Sequence, residues 1–296
     1  MAMIAVASGK GGTGKTTVAA ALALALREKL SGLRFMDCDV EEPNAAVLLK
    51  PEIEGEDPVI LKTPRVEPAR CTGCERCREV CEFNAIAVVN QQAMIFDNLC
   101  HSCGGCILAC PEDAISEIDR TIGKIEFGHR DNIEFLSGVL NVSEPMATPV
   151  IRALKARGLN GGGDGEELTI VDAPPGTACP VIATVKDCDY CILVTEPTPF
   201  GIYDLDLMYQ VVTELGIPAG IVVNKDDGGG LEADLDIEAY AGDNDIPILM
   251  RIPLKRDIAV SYSKGVPLVE ADEQWGNEFR GLYEKVRREL CQSPSK

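Results

Sequence analysis

A chain of 296 residues with 46% hydrophobic but only 5% aromatic residues has room for one large Ala/Val/Ile/Leu-rich α/β domain plus a small insert, and it fits an all-β core poorly. Its formal net charge of −19 repels phosphate backbones and anionic lipid, which argues against nucleic-acid binding and membrane-surface docking. No stretch reaches transmembrane length, the opening Met1-Ala2-Met3-Ile4-Ala5-Val6 reads as a strand rather than a signal sequence, and cysteines in such a chain point to a reducing cytoplasm.

The first predicted strand, Ile4–Ala7, runs into Gly9-Lys10-Gly11-Gly12-Thr13-Gly14-Lys15-Thr16-Thr17, and an apolar helix follows over Thr16–Lys29. Strand, glycine-rich loop and helix in that order make a phosphate loop, where backbone N–H groups and a helix N-terminus converge on phosphate. Lys15 then reaches the β/γ oxygens and the Thr16 hydroxyl ligates Mg²⁺, so ATP and Mg²⁺ are the expected cofactors. The second predicted strand, Arg34–Asp37, leads to the acids Asp37 and Asp39, after which Val40-Glu41-Glu42-Pro43-Asn44 turns into a helix. The acidic, proline-bearing stretch Pro51–Pro68 reads as a linker.

Two cysteine runs come next: Cys71, Cys74, Cys77, Cys81, then Cys100, Cys103, Cys106, Cys110 followed by Pro111. Both resemble the C-x-x-C-x-x-C-x-x-x-C spacing of bacterial two-cluster ferredoxins, in which the fourth cysteine of each run ligates the other cluster. The resemblance implies two [4Fe-4S] clusters, one on Cys71, Cys74, Cys77 and Cys110, the other on Cys100, Cys103, Cys106 and Cys81. Gly73, Gly104 and Gly105 lie inside the loops. Zinc sites usually pair C-x-x-C units across a longer gap, and disulfides have little use in a reducing compartment. The halves repeat internally, Cys81-Glu82-Phe83-Asn84-Ala85-Ile86 answering Cys110-Pro111-Glu112-Asp113-Ala114-Ile115. Glu82 stands where the ferredoxin run often has proline, a departure that removes no ligand. An inserted small α+β ferredoxin domain is expected over 63–124, with 1–62 and 125–296 forming the larger domain.

Beyond it, predicted strands Glu134–Leu136, Leu168–Asp172, Cys191–Thr195, Ala219–Asn224 and Ile248–Ile252 alternate with helices Pro149–Arg157, Asp204–Leu215, Leu231–Tyr240 and Glu278–Leu290. This is the pattern of a doubly wound, mostly parallel α/β sheet with ligands at the strands' carboxyl ends. Asp172 ends a buried strand and can hold a Mg²⁺-bound water, while Gly176 lets its loop approach the γ-phosphate. Asn224 suits adenine edges, though a plain turn residue is a competing reading, and Arg251-Ile252-Pro253 flanks the base. Residues 160–165 and Gly228-Gly229-Gly230 read as flexible loops. Of the spare cysteines, Cys188 and Cys191 read as core, Cys179 as core or switch packing, Cys38 as part of a core strand and Cys291 as tail. His101 and His129 read as local polar groups.

Lys10 within K-G-G-T-G-K-T-T resembles the deviant Walker A loop of the MinD/ParA/nitrogenase iron protein class. The whole chain, including Val194-Thr195-Glu196-Pro197-Thr198-Pro199-Phe200-Gly201, resembles MinD-superfamily P-loop ATPases carrying an inserted ferredoxin domain. The resemblance implies a Mg-dependent ATPase that dimerises on ATP, with itself or a similar ATPase. Lys10 would reach the partner subunit's nucleotide, Asp39 position the attacking water and Asp37 support the metal shell. It leaves three expectations for function: nucleotide state coupled to electron transfer with a redox partner protein; assembly or carriage of iron–sulfur clusters for apo-protein clients; or a positioning ATPase with a redox sensor.

Overall fold

In the computed structural model, residues 2–160, 168–226 and 232–292 are described. The elements in chain order are β1 (Ala2–Ala7), α1 (Lys15–Leu26), β2 (Leu33–Asp37), α2 (Ala45–Leu49), β3 (Glu52–Val66), α3 (Arg76–Glu79), β4 (Ile86–Val89), β5 (Gln92–Ile95), α4 (Gly105–Leu108), β6 (Ile115–Arg130), β7 (Ile133–Leu140), α5 (Thr148–Asn160), β8 (Leu168–Asp172), α6 (Cys179–Val185), β9 (Tyr190–Thr195), α7 (Pro199–Glu214), β10 (Ala219–Asp226), α8 (Glu232–Asp243), β11 (Ile248–Pro253), α9 (Arg256–Ser263), α10 (Leu268–Ala271) and α11 (Glu273–Gln292). The chain divides into two compact units. One comprises Met1–Glu56, Ile125–Val139 and Ile151–Lys296, the other Asp57–Lys124 and Leu140–Val150.

The larger unit is built on a sheet whose strand order is β11-β10-β9-β1-β8-β2-β7-β6-β3, and the pairs from β11 through β7 are parallel. β2 and β8 are buried along their whole length, as expected of central strands covered on both faces. α1 reads KTTVAAALALAL, and its alanines let it lie close against the sheet. Leu22 and Leu26 are fully buried there, so truncating either to alanine costs about 2–5 kcal/mol. Because β1 lies between β8 and β9, the loop after it opens at the point where the chain crosses to either side of the sheet.

The smaller unit holds the antiparallel pair β4–β5 and two single-turn helices, α3 and α4. Each helix follows a residue in the left-handed region, Glu75 (φ 65) and Gly104 (φ 74), so the internal repeat of the sequence is also a repeat of backbone. Its core packs Cys77, Cys106, Ile86, Ala93 and Ile115 together.

Three expectations need correction. Pro51–Pro68 is no linker but mostly strand β3; Pro58 and Pro64 are tolerated because β3 is the last strand in the sheet order, where a missing N–H donor breaks no inner ladder. α7 starts at Pro199 rather than Asp204, since the Thr198 hydroxyl accepts the Gly201 N–H at 3.0 Å and Pro199 needs no donor. Cys38 follows β2, and Cys188 precedes β9, although Cys38, Cys188 and Cys191 are all buried. Residues 161–165, 228–230 and Leu231, expected as loops and a helix start, lie outside the described residues.

Candidate functional site

The phosphate loop joins β1 to α1. Gly14 sits at φ 92 with the Asn224 amide against the place a Cβ would occupy, so a side chain there meets both a strained backbone and a steric block. Asn224, at the end of β10, donates its amide to the Thr13 carbonyl at 2.6 Å, and this bond sets the loop's curvature. Gly9 packs against the Asp204 backbone, and the Gly176 N–H donates to the Ser8 carbonyl at 3.1 Å, tying the loop after β8 to the phosphate loop.

A cavity of about 1230 Å³, counting space open to solvent, lies over this loop. Of the expected residues it brings together Gly11, Gly12, Gly14, Lys15, Thr16, Thr17, Asp39, Asn224 and Pro253. Lys10, Gly9, Thr13, Gly176, Asp37 and Asp172 do not line it. Asp37 accepts the N–H groups of Asp39 (3.2 Å) and Ala45 (3.0 Å), so it fixes the loop between β2 and α2. Arg251, expected beside a base, instead pairs with Asp226 (2.9 Å) and Glu238 (2.7 Å).

Lys15 Nζ lies 2.9 Å from Asp39 Oδ2, both side chains being about nine-tenths buried. Burial works against the ammonium, but Asp172, Asp39 and Asp37 more than offset it and hold the Lys15 pKa above its ordinary value. Asp172 is fully buried, and burial lifts it to about 6 against the pull of Lys15 and Thr16. Burial, then Asp172, raises Asp37 well above the carboxylate range. Apart from the neighbouring Thr16 hydroxyl, no donor among the described residues reaches either Asp172 oxygen. A buried carboxylate with open lone pairs beside a phosphate-loop threonine suits a hydrated divalent cation.

Two residues escaped the sequence reading. Glu196, at the end of β9, holds Lys10 Nζ at 3.5 Å and Lys225 Nζ at 2.6 Å, and Lys225 also donates to the Gly12 carbonyl at 2.8 Å. The signals were present: Glu196 stands in the T-E-P-T-P segment and Lys225 directly after Asn224. Glu42, Asn44 and Tyr262 also line the cavity.

In the smaller unit the eight run cysteines separate into two cavities of about 340 Å³ each on the same measure. One is lined by Cys71, Cys74, Cys77 and Cys110, the other by Cys81, Cys100, Cys103 and Cys106. Among the described residues no three Cys, His, Asp or Glu side chains converge as a single-ion site. Burial pushes the Cys77 thiol up and Cys106 up to about 11, which disfavours bare thiolates. Backbone N–H groups of Ala85 and Ala114 donate to Cys81 and Cys110 Sγ, both at 3.3 Å. Four cysteines lining each cavity, with N–H donors on Cys81 and Cys110, suit a cationic iron core with four thiolate ligands. Cys179, expected as core or switch packing, is exposed at the first turn of α6 and so is not core.

Residues 4–268 match the CobQ/CobB/MinD/ParA nucleotide binding domain family. The chain belongs to that family. This MinD/ParA-type protein is 31% identical to an uncharacterized protein of Methanocaldococcus jannaschii over 287 residues, which cover 97% of this chain and 96% of that one. A shorter match, 26% over 136 residues, covers 40% of this chain and 44% of an iron-sulfur cluster carrier protein of the same organism. The fold of the MinD/ParA-type chain is that of the septum site-determining protein MinD from Pyrococcus horikoshii, solved with Mg-ADP: TM-score 0.58, 21% identity, covering 96% of this chain and 95% of that one. Among the described residues no helix is long and apolar enough to cross a membrane.

Proposed function

We propose that this protein is a Mg-dependent ATPase that couples nucleotide state and dimerisation to electron transfer through two [4Fe-4S] clusters in a ferredoxin domain inserted over 63–124. The observation that carries the reading is the separation of eight cysteines into two four-cysteine cavities in a chain that also holds a complete phosphate loop. The clusters would supply two one-electron sites, held by Cys71, Cys74, Cys77 and Cys110 and by Cys100, Cys103, Cys106 and Cys81.

The nucleotide chemistry follows from the chain's own groups. Phosphate competes with Asp39 for the Lys15 ammonium, so nucleotide binding frees the Asp39 carboxylate to orient an attacking water. Thr16 and Asp172 would hold Mg²⁺ and its bound water, while Asp37 keeps the Asp39 loop in place. Asn224 and Pro253 would flank the base, in a cavity that Tyr262 also lines. Lys10 is held by Glu196 in the single chain and becomes available to a second subunit's nucleotide when that pair opens. The electron donor or acceptor is a redox partner protein in the cytoplasm.

The partial likeness to an iron-sulfur cluster carrier favours one second reading, delivery of clusters to apo-proteins. ATP turnover by oxidised and dithionite-reduced protein, measured anaerobically, separates the two. Coupling to electron transfer predicts a several-fold difference in rate with both clusters retained. Equal rates, with iron lost to an apo-protein acceptor, would replace it by the carrier reading.

A further inference from the structure

The repeat relates the two cysteine cavities residue by residue, and three of the related positions differ in charge or shape. Glu75 lines the first cavity where its counterpart Gly104 lines the second. Glu112 lines the first where Phe83 lines the second, and Thr72 is answered by His101. Phe83 and His101 stack at 3.8 Å between centroids, forming an aromatic wall with no counterpart across the repeat. The N–H···S bonds differ as well. Ala85 to Cys81 and Ala114 to Cys110 are equivalent, but Ser102 also donates to Cys100 Sγ at 3.4 Å. Among the described residues the equivalent Gly73 makes no such bond to Cys71.

These differences act on the energy of adding an electron. A nearby carboxylate repels the added charge, and an N–H pointed at a ligand sulfur stabilises it. Glu75 is partly neutralised by Arg78 at 3.1 Å, whereas Glu112, whose carbonyl accepts from Arg70 at 2.8 Å, has a carboxylate in no ion pair among the described residues. The aromatic wall opposes the trend, since excluding water disfavours the more negative state. It is one contribution against the Glu112 charge and the Ser102 N–H, and Cys103 beside it is exposed just as Cys74 is in the first cavity.

We infer that the two cluster sites are unequal electron acceptors, and that the site of Cys81, Cys100, Cys103 and Cys106 has the higher potential and holds the first electron. The inference rests on the proposed cluster assignment and adds the order of filling. Each step adds one electron from a low-potential donor, dithionite in the experiment, and takes one cluster from 2+ to 1+. A tenfold preference for the second site corresponds to about 59 mV for a one-electron couple.

The test is an anaerobic potentiometric titration of the whole protein followed by electron paramagnetic resonance, with iron and sulfide analysis of every sample. Two separated one-electron steps are expected. Glu112→Gln should raise the lower step and leave the upper in place, and Phe83→Gln should shift the upper step alone. Two intact clusters with a single unresolved step, or a Glu112→Gln shift confined to the upper step, overturns the order of filling while leaving the cluster assignment standing. Protein that binds fewer than two clusters after anaerobic reconstitution overturns both.

Discussion

Replacing Asp172 by asparagine should stabilise the protein in the absence of metal while destroying its response to Mg-nucleotide. Asp172 is fully buried, and its carboxyl pKa rises from 3.8 to about 6. At roughly 1.4 kcal/mol per tenfold, that rise is about 3 kcal/mol of penalty for carrying an ionised carboxylate in the fold. The sign follows from the direction: a carboxyl whose folded pKa is raised contributes stability below about 3.8 that is lost as pH climbs through about 6. Asparagine keeps the shape without the charge, so the variant's advantage in EDTA should reach about 3 kcal/mol at pH 8 and roughly half of that at pH 5. Anaerobic urea unfolding at the two pH values reads this directly. Adding Mg-ADP should then stabilise the parent protein strongly and the variant little, because the lost group is the one assigned to the cation shell. A variant less stable than the parent at pH 8, with a gap that does not change with pH, would refute the reasoning.

Lys15→Ala should abolish ATP binding and turnover while leaving iron content intact, read by isothermal titration and iron analysis on one sample. Cys74→Ala should degrade one cluster and halve the iron per chain, whereas Cys179→Ser should leave iron and paramagnetic spectra unchanged; the reverse pattern would displace the ligand assignment. Glu196→Gln removes the charge that holds Lys10 and Lys225. Pairs of this partly exposed kind are worth about 0.2–1 kcal/mol, so ATP should bind up to about fivefold tighter, measured at low and high salt.

The parallel strands of the larger unit were legible because each is a short, continuous apolar run, and the phosphate loop because its residues are consecutive. The resemblance carried by the cysteine spacing likewise implied the two sets of four thiols that line the cavities. β3 was hidden because its prolines and acids read as linker chemistry, and an edge strand tolerates both. The Lys10–Glu196–Lys225 arrangement was invisible for a different reason. It joins residues almost two hundred positions apart, through side chains whose meeting depends on where β1, β9 and β10 end. The partners of Arg251 were equally hidden, since the acids at 226 and 238 that pair with it lie 25 and 13 positions away in the chain.

Coupling of nucleotide state to cluster reduction in one chain, as proposed, is read from the midpoint potentials of anaerobically prepared protein, followed by electron paramagnetic resonance with and without Mg-ATP. Mg-ATP should shift at least one potential, and Lys15→Ala should abolish the shift while keeping both clusters. Two stable clusters whose potentials and spectra are the same with and without nucleotide would contradict it.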